Sequence, residues 1–166
     1  MNAQEVIEKL GLKPLSVEGG YFRETYRCEE TIPAAALDQR YGADRAISTA
    51  IYYLLTPDTV SKLHRLRSDE VFHFYAGDPV EMLQLLPNGS HRVVVLGSDL
   101  GKGELPQVVV PRGMWQGARL AAGGEWALLG TTVAPGFDYG DYENGDRGEL
   151  SLQYPDCVDM IWALTE

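Results

Sequence analysis

An all-β fold, a sandwich or a barrel, is what this sequence predicts, and two observations carry the prediction. Short apolar and aromatic runs follow one another from residue 20 to residue 134 with no long helical periodicity between them. Turn signals punctuate those runs at close spacing: Gly77-Asp78-Pro79, Asn88-Gly89, Gly101-Lys102-Gly103 and Gly123-Gly124. Many short strands without intervening helices pack as two facing sheets or close into a barrel.

The elements follow in chain order. Asn2 and Glu5 stand at capping-box spacing, Ala3, Ile7 and Leu10 recur on one face, and Gly11 sits where a left-handed cap ends a helix. A short N-terminal helix is therefore expected. "GYFRETYR" (Gly20–Arg27) alternates and is rich in aromatics and Thr, so it reads as a strand. "PAAALDQRYG" (Pro33–Gly42) holds one or two helical turns within a loop. "AISTAIYYLL" (Ala46–Leu55) is β-branched, aromatic and nearly uncharged, which predicts a strand buried on both faces. Further strands are read in "DEVFHFYAG", "VEMLQLL", "HRVVVLG", "PQVVVP", "GARLAA" and "EWALLGTTVAP". Asn88-Gly89 between two apolar runs is a strong hairpin signal. At the end, "PDCVDMIWALT" (Pro155–Thr165) places Val158, Ile161 and Trp162 at helical spacing, which predicts a short C-terminal helix. With no repeat and no linker, residues 1–166 read as one domain, long enough to bury a core.

Charge limits the partners. Twenty-four acidic against fourteen basic side chains give a net charge of −10. Nucleic acid polymers and anionic membranes reward a basic face, so neither is expected as a partner. Cys28 and Cys157 lie far apart without metal-like spacing and read as free thiols. The N-terminus lacks an apolar core of signal-peptide length, and no run approaches the roughly 18 apolar residues of a membrane span. A cytoplasmic location is the expectation.

The chemistry-bearing stretch is "HRLRSDEVFHFYAG" (His64–Gly77). Side chains alternate along a strand, so Glu70, Phe72 and Phe74 share one face while Val71, His73 and Tyr75 share the other. His64 and Glu70 can converge on one cavity, because "RLRSD" can turn the chain between them. His73 faces away from that cavity. A similar alternation puts Tyr21, Arg23 and Thr25 on one face of the earlier strand and Phe22, Glu24 and Tyr26 on the other. Arg23 is then either a guanidinium fork for a carboxylate or phosphate, or an ordinary cross-strand charge. "PGFDYGDYENGD" (Pro135–Asp146) reads as a loop at a barrel rim, with Phe137 and Tyr139 as candidate lid residues.

These residues carry a resemblance. His64, Leu66, Glu70 and Gly77 stand at the spacing of the first cupin motif, and "PRGMWQ" (Pro111–Gln116) is similar to the second. Leu66 and Gln116 occupy positions where the motifs place histidines, and Asp58 occupies one where they place a glycine. More closely, the chain resembles the cupin-5 (DUF985) family through "EGGYFRETYR", "TAIYYLL", "SKLHRLRSDEVFHFYAGDP", "VVPRGMWQGA" and "VAPGFDYGDYE", in order along the chain. The resemblance implies a double-stranded β-helix, the jelly-roll barrel of cupins, with a ligand pocket in its mouth and a homodimer as the assembled form. By analogy with the deoxysugar-epimerase cupins it also implies a sugar epimerase.

Three readings of the site compete. As a metal centre, His64, Glu70 and Gln116 form a weak donor set, since one imidazole, one carboxylate and one amide replace the usual cluster of imidazoles. No cofactor is expected on that ground, and a divalent metal is the less favoured alternative. As an acid–base site, His64 and Glu70 would be the catalytic pair, with His64 as general base and a tyrosine as acid. As a binding site, His64, Glu70 and Gln116 would form a satisfied polar network that orients a ligand. Tyr21, Arg23, Phe72, Phe74, Gln116, Phe137 and Tyr139 are the ligand-binding candidates. The leading expectation is a small-molecule binding protein whose ligand is sugar-, nucleotide- or nucleotide-sugar-like. An isomerase or epimerase using His64 comes second, and a storage-like β-barrel dimer without chemistry comes third.

Overall fold

The computed structural model describes residues 1–166. Thirteen strands form: β1 (Lys13–Pro14), β2 (Tyr21–Arg27), β3 (Thr31–Ile32), β4 (Arg45–Ala46), β5 (Thr49–Leu55), β6 (Val60–Arg65), β7 (Asp69–Gly77), β8 (Val80–Leu85), β9 (His91–Leu96), β10 (Gln107–Val110), β11 (Trp115–Leu120), β12 (Ala127–Ala134) and β13 (Glu143–Asn144). Three α-helices accompany them: α1 (Ala3–Leu10), α2 (Arg147–Gln153) and α3 (Val158–Ala163). A six-stranded antiparallel sheet in the order β1-β2-β5-β12-β7-β10 faces a five-stranded one in the order β13-β6-β11-β8-β9. This is the double-stranded β-helix of the cupin barrel.

Most sequence expectations map directly. The capping box of α1 forms, with Asn2 and Glu5 each bonding the other's backbone, and Gly11 closes the helix at φ +62. β8 and β9 pair across the Asn88-Gly89 turn, with Leu85 opposite His91. "PAAALDQRYG" contributes a single 3₁₀ turn, Ala34–Ala36.

Differences concentrate where polar residues interrupt a pattern. β6, which carries His64, is not among the runs that read as strands, because Lys62, His64 and Arg65 break its apolar alternation. Helix α2 is likewise unexpected; Asp146 caps it by accepting from the Glu149 amide, and only Leu150 of its residues is buried. The C-terminal helix is split, a 3₁₀ turn at Pro155–Cys157 preceding α3. Its buried residue is Ile161, while Trp162 is exposed with the Arg147 guanidinium over its ring. The central run ending at Leu55 is buried toward its C-terminal end, Tyr53 to Leu55, and half-buried from Ala50 to Tyr52.

Three apolar clusters explain the architecture. Inside the barrel, Tyr53, Leu55, Phe72, Met82, Ala118 and Leu129 interdigitate from both sheets. Outside the five-stranded sheet, Leu63, Leu83 and Leu85 pack under Leu150, Ile161 and Leu164 of the C-terminal segment. Outside the six-stranded sheet, Val6, Leu12 and Leu54 form a small cluster joined by Tyr21 and Leu128. Each sheet thus has part of its outer face covered by helix, so its strands lose the clean apolar–polar alternation of a half-exposed sheet.

Candidate functional site

One end of the barrel interior is packed and the other is open. A cavity of about 420 Å³ occupies the open end. Its walls are the inward residues nearest the ends of the strands: Thr49 and Ile51 of β5, Thr131 and Val133 of β12, and Glu70 of β7. Leu66 lines it too, at the position where a cupin motif places a histidine.

Its polar floor is His64 of β6 and Glu70 of β7; Gln116 of β11, a ligand-binding candidate from the sequence, lies buried behind them and does not itself line the cavity. Gln116 pairs with His64 across β11 and β6, and the Gln116 amide nitrogen lies 3.0 Å from His64 Nε2. The same amide donates to Glu70 Oε2 at 2.8 Å. His64 Nδ1 lies 2.6 Å from the Lys62 carbonyl, which can only accept, so Nδ1 carries the hydrogen. Nε2 then presents its lone pair to Gln116, and both ring nitrogens are engaged. Above the ring, Tyr142 stacks at a centroid distance of 4.9 Å and an interplanar angle of 17°. His64, Glu70 and Gln116, proposed together from the sequence, therefore form one buried network, in which the buried Gln116 Oε1 has no hydrogen-bond partner.

A fourth member was missed. Glu18 enters the cavity from the turn before β2, with its Oε1 accepting from Ser61 Oγ at 2.5 Å and lying 4.0 Å from His64 Nε2. The following glycines make this placement possible. Gly19 has φ +101, and a Cβ there would lie 2.2 Å from the Val60 carbonyl oxygen. Tyr53, buried in the core, donates to the Gly19 carbonyl at 2.7 Å and ties the turn to the barrel. A bulge in β6 completes the set: two steps along β11, from Gln116 to Ala118, span three along β6, from His64 to Ser61. Ser61 and His64 consequently face the same interior although three residues apart. An acid directly before Gly-Gly was the available sequence signal.

Burial, and after it the negative charge of Glu18, raises the Glu70 carboxyl to about 8, while hydrogen bonds from Thr131 and Gln116 pull in the opposite direction. Near neutral pH the floor thus holds a protonated acid beside a carboxylate. Burial, followed by the charges of Glu18 and Glu70, also raises the Tyr142 phenol.

A second bulge relocates the arginine. Glu24 of β2 pairs with Ile51 and Tyr26 with Ala50, so Thr25 is the extra residue and alternation reverses beyond it. Phe22, Glu24 and Arg27 line the cavity. Tyr21 and Arg23 do not: Tyr21 packs with the cluster under α1, and Arg23 lies over the Tyr52 ring. The guanidinium at the cavity is that of Arg27, which holds Glu24 bidentately at 2.9 and 2.9 Å and donates to the Phe137 carbonyl at 3.1 Å.

Phe72 and Phe74 face inward on Glu70's side of β7, as alternation requires, but neither is a cavity wall. Phe72 is 1% exposed within the barrel core and Phe74 packs against that core. Each step along β7 runs deeper toward the packed end, so only Glu70 reaches the cavity. His73 lies outside, bonded to Thr132 and stacked near Tyr75.

Phe137 and Tyr139 do line the cavity, edge to face with centroids 5.1 Å apart. Their loop is braced along its length. The Phe137 amide donates to Thr49 Oγ1, Asp138 accepts from the Gly140 amide, and Asp141 receives a buried fork from Arg45 at 2.6 and 2.8 Å.

The donor set suits a metal poorly. No group of three or more His, Cys, Asp or Glu side chains converges to hold an ion. His64 Nε2 and Glu70 Oε2, the lone pairs an ion would need, both face N–H groups of Gln116. Leu66 supplies no donor. No helix is long and apolar enough to cross a membrane.

The chain belongs to the Cupin_5 family of the cupin superfamily (DUF985), whose model matches residues 4–144, a span that holds every cavity residue. It is 32% identical over 134 residues to an uncharacterised protein of Saccharomyces cerevisiae, a match covering 75% of this chain and 66% of the yeast protein. Among solved structures it is similar to a hypothetical protein from Leishmania major, at 34% identity and a TM-score of 0.88 over 99% of both chains. A Shewanella oneidensis protein matches with 34% identity and a TM-score of 0.86 over 100% of this chain and 98% of the other. Oxalate decarboxylase from Bacillus subtilis aligns at 13% identity with a TM-score of 0.53, covering 91% of this chain and 36% of that one, a likeness of fold alone.

Proposed function

We propose that the chain binds a small molecule in the barrel mouth, and that the part of the ligand inside the cavity is an uncharged polyhydroxylated ring of the sugar or nucleoside class. The observation that carries this reading is the floor itself: a protonated Glu70 can donate, Glu18 can accept, and both sit among apolar walls. Hydroxyl groups, which donate and accept alike, suit such a mixed set. With Glu70 protonated and His64 neutral, Glu18, Glu24 and Asp138 still outnumber Arg27 along the walls, so a negative charge inside the cavity is disfavoured.

A thermal-shift screen of free monosaccharides, nucleosides and sugar nucleotides, followed by calorimetric titration of the best binder, tests the reading. Removing one hydrogen bond to a charged group costs about 1.5–3 kcal/mol, so Glu18→Gln should weaken binding roughly 10- to 100-fold. A binder whose affinity is unchanged in Glu18→Gln and in His64→Ala overturns the proposed site.

One observation favours a second reading, a proton-transferring isomerase or epimerase. Two carboxyl groups in different protonation states within one cavity make an acid–base couple. In this reading Glu70 is the acid and Glu18 the base, while His64, with both nitrogens engaged, positions Gln116. Solvent deuterium appearing at a sugar carbon next to a carbonyl, and lost in Glu70→Gln with affinity retained, supports it; no exchange in the unmodified protein sinks it.

A second copy of the chain is the proposed protein partner. Tyr26, Tyr75 and Val109 are each about half exposed on the outer face of the six-stranded sheet, which supports an isologous contact there. Light scattering on the purified chain checks this, and a monomeric mass at micromolar concentration refutes it.

A further inference from the structure

Beside the cavity lies a second concavity of about 720 Å³, and its chemistry is the reverse of the first. Leu66 and Tyr142 belong to the walls of both, so the two spaces meet at that rim. Arg40, Arg65, Arg67 and Arg112 line the groove against Asp38, Asp141 and Glu143. Four guanidiniums in one groove are a concentrated cationic spot on a chain of net charge −10.

Pairing sharpens the contrast. Arg65 is spent on Glu143, bidentately at 2.8 and 2.9 Å, and Arg40 lies 3.2 Å from Asp38. Asp141 already receives both of its bonds from the buried Arg45, which approaches from beneath the groove. Arg67 is left 4.0 Å from that satisfied carboxylate and otherwise donates only to the Arg40 carbonyl, at 2.6 Å. Arg112 makes no side-chain hydrogen bond and no ion pair; its backbone amide donates to Asp69 Oδ1, and its charge acts on Asp38 only at a distance. Two exposed guanidiniums, Arg112 without a partner and Arg67 with only a 4.0 Å contact to an already satisfied carboxylate, therefore leave positive charge on one groove, next to a cavity that holds Glu18, Glu24 and Asp138.

We infer that this groove is an anion subsite for a dianionic phosphate or diphosphate group, with Arg67 and Arg112 as the binding residues. Guanidiniums present paired N–H donors that match phosphate oxygens in a fork, and two unpaired ones match two charges. The rim at Leu66 and Tyr142 then lets a single ligand place its uncharged ring in the cavity and its phosphate in the groove. That linkage rests on the function proposed above; the groove's own affinity for phosphate does not. The ligand class is thereby narrowed to phosphorylated sugars and nucleotide sugars, and the acidic cavity becomes the place for the neutral end.

Calorimetric titration with inorganic pyrophosphate at low salt tests the subsite without any ring. The unmodified chain should bind pyrophosphate with an affinity that falls as salt rises. Arg67→Ala combined with Arg112→Ala should weaken it at least about tenfold, two exposed charge pairs being lost at several-fold each. Arg112→Ala alone breaks no internal bond, so its several-fold loss cannot be ascribed to misfolding. Glu18→Gln should leave pyrophosphate binding in place. No pyrophosphate binding to the unmodified chain, or undiminished binding in the double variant, overturns the inference. A cavity that takes no sugar leaves the pyrophosphate result standing, so the two failures are told apart.

Discussion

The two ends of the barrel interior are built by the same strands and have opposite characters. β5 gives Tyr53 and Leu55 to the packed end and Thr49 and Ile51 to the open one. β12 gives Ala127 and Leu129 to the first, Thr131 and Val133 to the second; β7 gives Phe72, then Glu70. At the packed end the side chains fill the space between the sheets, and stability there is a matter of close apolar contact. At the open end the glycine turn at Gly19-Gly20, the bulges in β2 and β6, and the rim loop direct polar groups inward instead. Those groups are buried with partners yet leave a cavity. Position along the barrel axis, more than the strand to which a residue belongs, decides whether an inward residue is core or site.

Substitutions at the two ends should separate these roles. The largest loss is expected from Phe72→Ala, which removes a fully buried ring at the packed end: about 3–5 kcal/mol of unfolding free energy, read from urea denaturation. A loss below about 1 kcal/mol would mean the packed end is looser than its contacts imply.

Next comes Glu70→Gln at the open end, whose effect depends on pH. The native carboxyl titrates near 8, against 4.5 for an unperturbed glutamic acid, so the folded chain binds this proton more tightly than the unfolded one. Stability contributed by the protonated form is complete at low pH, declines from about pH 4.5 and is lost as pH rises through about 8. Glu70→Gln abolishes that decline. Melting temperatures should be similar near pH 4.5, and the variant should be the more stable by an amount on the order of a few kcal/mol above pH 8. Parallel pH profiles for the two proteins would break the contrast between a charged site and a neutral core.

The smallest effect belongs to Arg27→Gln. Its pair with Glu24 is partly exposed, 45% and 38% for the two side chains, and such pairs contribute about 1 kcal/mol or less. Denaturation should register little. A loss of several kcal/mol would show that the Arg27 bond to the Phe137 carbonyl fastens the rim loop more firmly than the Asp141–Arg45 fork does.

How far the chain could be read in advance follows from the same contrast. The helix start at Asn2, the hairpin at Asn88-Gly89 and the inward face of β7 were legible, because capping, turn chemistry and alternation act between near neighbours. His64, Glu70 and Gln116 were legible as a group through the cupin-like spacing. The cavity role open to Arg23 falls instead to Arg27, because alternation cannot show the bulge at Thr25, whose existence depends on β5 across the sheet. Phe72 and Phe74 were mistaken for cavity walls because alternation gives the face of a sheet but not the depth along the barrel. β6 and α2 were missed because their burial is supplied by distant segments, Gln116 opposite His64 and the helical cover around Leu150.

By itself, then, the sequence determined the all-β class, most strand positions, the family resemblance and the residues of the site's floor. The tertiary structure decided that Glu18 joins them, that Arg27 rather than Arg23 faces the cavity, and that Arg112 and the loosely paired Arg67 stand beside it. The physical reason is one of range. Propensity and alternation are fixed by covalent neighbours, whereas bulges, burial and charge pairing are settled between residues that only folding brings together.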